Sequence, residues 1–123
     1  MAAPRQHPRR AAVVGAGSFG TAVAVLLVRA GLRTALLCRT AEQAERLGRD
    51  RHNERYLPGV ELPRELRIRA LDAGQDQLAR TDLVFLAVPS KTLPDALADL
   101  ARLGVSPRAG VVSLAKGLVP PDG

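Results

Sequence analysis

Ala11-Ala12-Val13-Val14-Gly15-Ala16-Gly17-Ser18-Phe19-Gly20-Thr21-Ala22 is the stretch that decides the fold. Its first four residues form a short aliphatic run ending at a glycine, the pattern of a buried strand. From Thr21 to Ala30 the chain is almost wholly apolar, without Pro or Gly, and Gly31 follows. That predicts a helix with a glycine stop. Between strand and helix, Gly15, Gly17 and Gly20 fall in G-x-G-x-x-G spacing. Such a hexapeptide alone is weak, because glycine is common in turns; its place between a strand and a helix gives it meaning. Gly15 permits the tight turn, Gly17 lets a diphosphate approach the backbone, and Gly20 lets the helix pack close to the strand. The helix amino terminus at Thr21 would offer unpaired N–H groups and partial positive charge to phosphates. A strand–helix turn with no ligand is the plainer alternative.

Working outward, Thr34 to Cys38 reads as a second aliphatic strand, and Thr40-Ala41-Glu42-Gln43 fits a capping box opening a helix to about Leu47. Residues 48–63 are polar and turn-rich, with Pro58-Gly59 and Pro63 as breakers, and read as a loop. Leu66, Ile68 and Ala70 alternate with Arg67 and Arg69, as in an edge or half-exposed strand. A short helix over Gln75–Arg80 leads into Asp82–Val88, the strongest strand pattern, ended by Pro89. Thr92 is placed to cap a helix to about Leu103, and Val111 to Leu114 reads as a further strand. Strands alternating with helices predict an α/β protein, a Rossmann-type parallel sheet with flanking helices joined by right-handed crossovers. We expect a disordered tail over residues 1–10 and a dinucleotide-binding domain over 11–123. The ending Pro120-Pro121-Asp122-Gly123 comes directly after a strand. It leads us to expect an incomplete, truncated domain.

Composition narrows the function classes. At 123 residues the chain has room for one domain with a modest core. Aromatic content is 2%, so the core must be aliphatic, which suits a parallel sheet. The formal charge is +6, carried by 16 arginines and by Lys91 and Lys116. The arginines are scattered and no aromatics interleave with them, which argues against nucleic acid. Cys38 is alone, so no disulfide framework or metal cluster is expected. It reads as a small buried hydrophobe in a reducing compartment. No apolar run reaches the roughly 18 residues of a membrane span. A cytoplasmic protein is the expectation.

At the end of the second strand, a site selective for NAD usually carries Asp or Glu for the ribose hydroxyls. Here Cys38-Arg39-Thr40 stands there, with no carboxylate until Glu42. A guanidinium can bind a 2′-phosphate with paired hydrogen bonds, so Arg39 argues for NADP or tolerance of it. The alternative is a solvated arginine opposing the dipole at a helix start. Val88-Pro89-Ser90 lies at the carboxyl end of the strongest strand, where ligands of open α/β sheets collect. Pro89 would shape the rim there, or be an ordinary strand stop. Lys116 follows the last strand at the same edge and is one of two lysines, which favours a ligand role over a solvated loop position. His7 and His52 have no sequence partner suggesting general-base work.

Gly15 to Ala22 resembles the opening of bacterial glycerol-3-phosphate dehydrogenases, which read GAGSWGTA or close to it. The likeness continues through Arg39, Asn53-Glu54-Arg55-Tyr56-Leu57-Pro58-Gly59 with Leu62-Pro63, Val88-Pro89-Ser90 and Lys116-Gly117-Leu118. Phe19 stands where many members have Trp, and keeps an aromatic plane. The resemblance implies an oxidoreductase that interconverts glycerol 3-phosphate and dihydroxyacetone phosphate with NAD(P)(H), feeding glycerophospholipid synthesis. It also implies that Ser18, Phe19, Arg39 and Tyr56 contact the cofactor and that Lys116 touches cofactor and substrate. The family's proton-transferring lysine and most substrate-phosphate ligands lie in the helical C-terminal domain. No catalytic residue is therefore expected in this chain, which would bind cofactor without turnover; a homodimer is allowed for the full-length protein. Two alternatives stay open. Ketopantoate and pyrroline carboxylate reductases share the N-terminal turn but lack the Tyr-Leu-Pro-Gly and Lys-Gly elements. A non-catalytic NAD(P)-binding module would use the same turn to sense redox state or support a partner.

Overall fold

The aliphatic runs become parallel strands because helices can cover them on both faces. In the computed structural model, which describes residues 9–114, the order is β1 (Arg10–Val14), α1 (Ser18–Arg29), β2 (Arg33–Cys38), α2 (Ala41–Asp50), β3 (His52–Asn53), β4 (Leu57–Glu61), β5 (Arg67–Ala70), α3 (Gln75–Arg80), β6 (Leu83–Leu86), α4 (Leu93–Leu103) and β7 (Gly110–Ser113). Single 3₁₀ turns cover Leu71–Ala73 and Ser90–Thr92. The main sheet runs β5-β2-β1-β6-β7, all parallel, and β3 and β4 form a separate antiparallel pair. This is the expected Rossmann-type arrangement.

Successive residues of a strand face opposite sides, and each side has its own core. Val13, Leu36, Cys38 and Ile68 pack with Ala24 and Val25 of α1 and with Ala44 and Leu47 of α2. Val14, Leu37, Val84 and Leu86 pack on the other face with Leu78 of α3 and with Leu100 and Leu103 of α4. Each fully buried aliphatic side chain contributes about 1.5–3 kcal/mol relative to exposure. The edges are more open. Ile68 of β5 points inward while Arg67 and Arg69 face solvent, as their alternation predicts. All four residues of β7 are exposed.

From β1 the chain first moves outward through β2 to β5, then returns to β6 on the opposite side of β1. The order therefore reverses between β1 and β6, and a crevice opens beyond their carboxyl ends.

Several expectations need correction. Arg10, placed in the tail, is the first residue of β1: its N–H donates to Asp82 Oδ2 at 2.8 Å and its carbonyl accepts from the Asp82 N–H at 2.9 Å. The rest of that tail (apart from Arg9) and the chain end lie outside the described residues. Helix α1 begins at Ser18, so the turn itself spans only Gly15 to Gly17. Helix α2 continues through Gly48 to Asp50, because Leu47 is buried and the left-handed cap falls later, at Arg51 (φ 57°). Residues 52–61, read as loop, form the β3–β4 pair, with His52 opposite Glu61 and Asn53 opposite Leu57. Strand β6 stops at Leu86 rather than Val88; the Ala87 N–H still donates to β1, and Ala87 and Val88 line the crevice. Thr92 precedes α4 without capping it, since its hydroxyl donates back to the Pro89 carbonyl at 2.9 Å. Thr40 does cap α2, accepting from the Gln43 N–H at 3.1 Å.

Candidate functional site

The three glycines of the turn have different reasons to be glycine. Gly15 has φ +109°, and a Cβ there would collide with the Ala87 carbonyl. Its N–H donates to the Leu37 carbonyl at 3.0 Å, and the Ala87 N–H donates to the Val14 carbonyl at 2.9 Å, so the turn is tied to both neighbouring strands. Gly20 sits in the first turn of α1 against the same chain reversal, and a Cβ there would collide with the Gly15 carbonyl. Gly17 differs. It has φ −78°, and a Cβ built on it would meet nothing within 4 Å. Neither backbone conformation nor packing within the described residues requires glycine at 17.

The open side of Gly17 belongs to a cavity of about 480 Å³ lined by Gly17–Gly20 on one side and Ala87–Ser90 with Leu114 on the other. That size falls in the range of small-molecule sites. Helix α1 begins at this cavity with Gly17 as N-cap, no capping side chain and no acidic residue in its first turn. No capping or acidic side chain of that first turn offsets the positive end of the α1 dipole, and an anion is favoured there. None of the described residues lining the cavity has an ionisable side chain. The site can hold and orient a ligand, but these residues provide no acid or base.

Asn53, buried at 3% exposure, reaches the turn from β3. Its Nδ2 donates to the Ala16 carbonyl at 3.0 Å and to Thr21 Oγ1 at 2.8 Å. A buried amide satisfied in this way fixes the turn's path between β1 and α1. Sequence reasoning placed Asn53 only inside a motif and gave it no role; a lone Asn in a polar stretch carries no signal of such a long-range contact.

The structure brings Gly17, Ser18, Phe19, Gly20 and Pro89 together around the cavity, with Gly15 supporting them from behind. Phe19 is 52% exposed on the first turn of α1. Arg39 follows β2, the direct neighbour of β1, and is exposed at the same sheet edge with no ion pair among the described residues. Tyr56 does not line the cavity; it lies in the turn between β3 and β4, with the Arg55 guanidinium 5.5 Å from its ring centre. Lys116 falls outside the described residues. Ala87, Val88, Ser90 and Leu114 complete the lining. Of these, Ala87 and Leu114 had no chemical signature in the sequence, because they contribute shape alone.

Cys38 is fully buried at the end of β2, and burial pushes its thiol up to about 11. That matches its reading as a small hydrophobe. His52, expected to lack a partner, has Nδ1 3.4 Å from Glu54 Oε2, but both side chains are exposed and neither borders the cavity. Among the described residues, no cluster of His, Cys, Asp and Glu fits a metal ion, and no helix is long and apolar enough to cross a membrane.

Comparison with known proteins adds an independent line. Residues 10–123 match a family model described as the NAD-dependent glycerol-3-phosphate dehydrogenase N-terminus. The chain is 42% identical over 113 residues to an Alcanivorax borkumensis protein named NAD(P)+ glycerol-3-phosphate dehydrogenase, covering 92% of this chain and 32% of that one. A Streptomyces griseus protein of the same name is 45% identical over 112 residues, covering 91% and 32%. The chain thus spans about a third of the length of the curated relatives it matches. Among solved structures, a Coxiella burnetii glycerol-3-phosphate dehydrogenase aligns with a TM-score of 0.75 and 27% identity, over 89% of this chain and 34% of that one. A putative 2-dehydropantoate 2-reductase from Enterococcus faecalis aligns at 0.64 with 20% identity, over 85% and 33%; that likeness concerns the fold alone.

Proposed function

Because this chain belongs to the family of NAD-dependent glycerol-3-phosphate dehydrogenase N-terminal domains, we propose that it binds NAD(P) and forms the cofactor-orienting part of an enzyme. That enzyme interconverts glycerol 3-phosphate and dihydroxyacetone phosphate in the cytoplasm and feeds glycerophospholipid synthesis. The observation that carries the reading is Gly17: the described residues give no reason for glycine there, and its open side adjoins a helix start without a side-chain cap. Those residues fit a dinucleotide diphosphate, which needs close backbone approach and a positive helix end.

In this reading Gly15, Gly17 and Gly20 shape the diphosphate cradle, and the backbone at Ser18 faces the phosphates. Phe19 covers one side of the bound dinucleotide and Pro89 forms the opposite rim. Arg39, exposed and without a carboxylate partner, takes a 2′-phosphate, so NADP is favoured over NAD. Tyr56 closes over the adenosine side from a hairpin that Asn53 anchors to the turn. Lys116, two residues beyond the cavity-lining Leu114 in sequence, contacts cofactor and substrate. The cofactor, when bound, supplies the hydride. The described residues that line the cavity position its ring and carry no ionisable side chain to take a proton, and the chain by itself is expected to bind without turnover.

Two measurements on the purified 123-residue chain test this. Calorimetry should give saturable association with NADPH and weaker association with NADH; no association with either overturns the proposal. Mixing with NADPH and dihydroxyacetone phosphate should leave nicotinamide absorbance unchanged, and sustained oxidation would contradict the absence of turnover.

A further inference from the structure

We propose that the opposite end of the sheet carries a second anion site, which takes a small soluble phosphate ester or diphosphate with two or more negative charges. It lies at the amino ends of β1, β2 and β5, away from the glycine turn, and goes beyond the cofactor reading. A cavity of about 650 Å³ opens there between the start of the sheet, the end of α1 and helix α3. Four arginines line it, Arg10, Arg33, Arg67 and Arg80, against two carboxylates, Glu65 and Asp76. Asp76 is engaged by Arg80 at 3.3 Å. Arg10, Arg33 and Arg67 have no ion pair among the described residues.

Their placement follows from the register of the sheet. Arg10 lies directly opposite Arg33 in the β1–β2 ladder, and Arg67 enters β5 opposite Ala35, two residues further along β2. Three neighbouring strands thus begin with like charges side by side, an arrangement that repels itself and that a bound anion relieves. Guanidinium groups suit phosphate oxygens in particular, because each presents paired donors in a fixed plane.

A second observation concerns Gln77 of α3, which lines the same cavity. Its Oε1 is buried and has no hydrogen-bond partner. Buried side-chain oxygens are ordinarily paired. A half-turn of the terminal amide presents either its oxygen or its nitrogen, so Gln77 can meet a phosphate oxygen or a ligand hydroxyl. Concavity and size favour a small molecule over a flat polyanionic surface.

The test follows backbone amide resonances of the ¹⁵N-labelled chain during titration with inorganic pyrophosphate. Saturable shifts are expected at Arg33, Arg67 and Gln77, separate from any response at Gly17 and Ser18. Arg33→Gln with Arg67→Gln should weaken binding at the first group by roughly tenfold or more. The equal-charge control, Arg46→Gln with Arg49→Gln on α2, should change it by less than about twofold, as expected for distant screened charges. Should the first double variant lose its dispersed spectrum, Arg67→Gln alone carries the comparison, with a loss of roughly threefold expected. The proposal is overturned if the amino-end amides do not saturate, or if the control weakens binding as much as the site variant does. A response confined to Gly17 and Ser18 would overturn it while leaving the cofactor reading intact.

Discussion

Asn53 Nδ2 lies 2.8 Å from Thr21 Oγ1 and donates to it, joining the β3–β4 pair to a buried residue in the first turn of α1. The same amide group holds the Ala16 carbonyl at 3.0 Å. Asn53→Ala would leave buried oxygens without their donor, at a cost of about 1–3 kcal/mol. Asn53→Asp keeps the shape, removes the donor and should cost at least as much. Urea unfolding measures both. A variant as stable as the parent would show that the amide does not hold the turn.

Gly17 and Gly20 should separate binding from folding. Gly20→Ala places a methyl on the Gly15 carbonyl and should cost about 1–3 kcal/mol through overpacking. Gly17→Ala meets open space and should cost no more than about 1 kcal/mol, the difference between these residues as helix caps. It should nevertheless weaken NADPH binding by about tenfold or more, since the methyl occupies the approach to the phosphates. Thermal melts and cofactor titrations on the pair check this; equal losses of stability would contradict it.

Arg39 governs the choice between the two dinucleotides. Losing a charge-assisted contact to the 2′-phosphate is worth about 1.5–3 kcal/mol. Arg39→Ser should therefore weaken NADPH by roughly 10- to 100-fold and leave NADH nearly unchanged. Parallel titrations read the ratio, and equal effects on both would move Arg39 away from the adenosine ribose.

Cys38 predicts a loss of stability in alkali. Burial raises its folded thiol from 9.0 to about 11. The folded state thus holds the proton more tightly, and this contribution is complete below pH 9. Above that the unfolded thiol ionises first, so stability falls as pH climbs toward 11. The loss should be on the order of 1 kcal/mol by pH 10. Comparing urea midpoints at pH 8 and pH 10 for the parent and Cys38→Ala isolates this effect; identical pH slopes would refute it.

Much of this architecture was legible because local pattern and global fold agree. The run from Ala11 to Gly20 announced the strand, turn and helix. The alternation of Ile68 with Arg67 and Arg69 announced an edge strand, and α3 falls on its expected residues. The β3–β4 pair was hidden because its strands are short, Pro58 and Gly59 interrupt the second, and its anchors are distant: Asn53 on Ala16 and the buried Leu62. The extension of α2 was hidden because Gly48 imitates a stop, whereas the helix ends on Arg51, whose Nη1 donates to the carbonyls of Pro63 and Leu66 at 3.0 and 2.9 Å. Of the site, the glycines were readable by spacing. Ala87 and Leu114 were not, since residues that contribute only shape carry no chemical mark.

The claim on which the account rests is that the backbone of the glycine turn receives the diphosphate of NADPH. Amide spectra of the ¹⁵N-labelled chain recorded through an NADPH titration test it most directly. The account predicts that the largest shifts fall on Gly15 to Gly20, with Arg39 responding to NADPH and much less to NADH. Shifts centred elsewhere, with Gly17 and Ser18 unmoved at saturation, would contradict it.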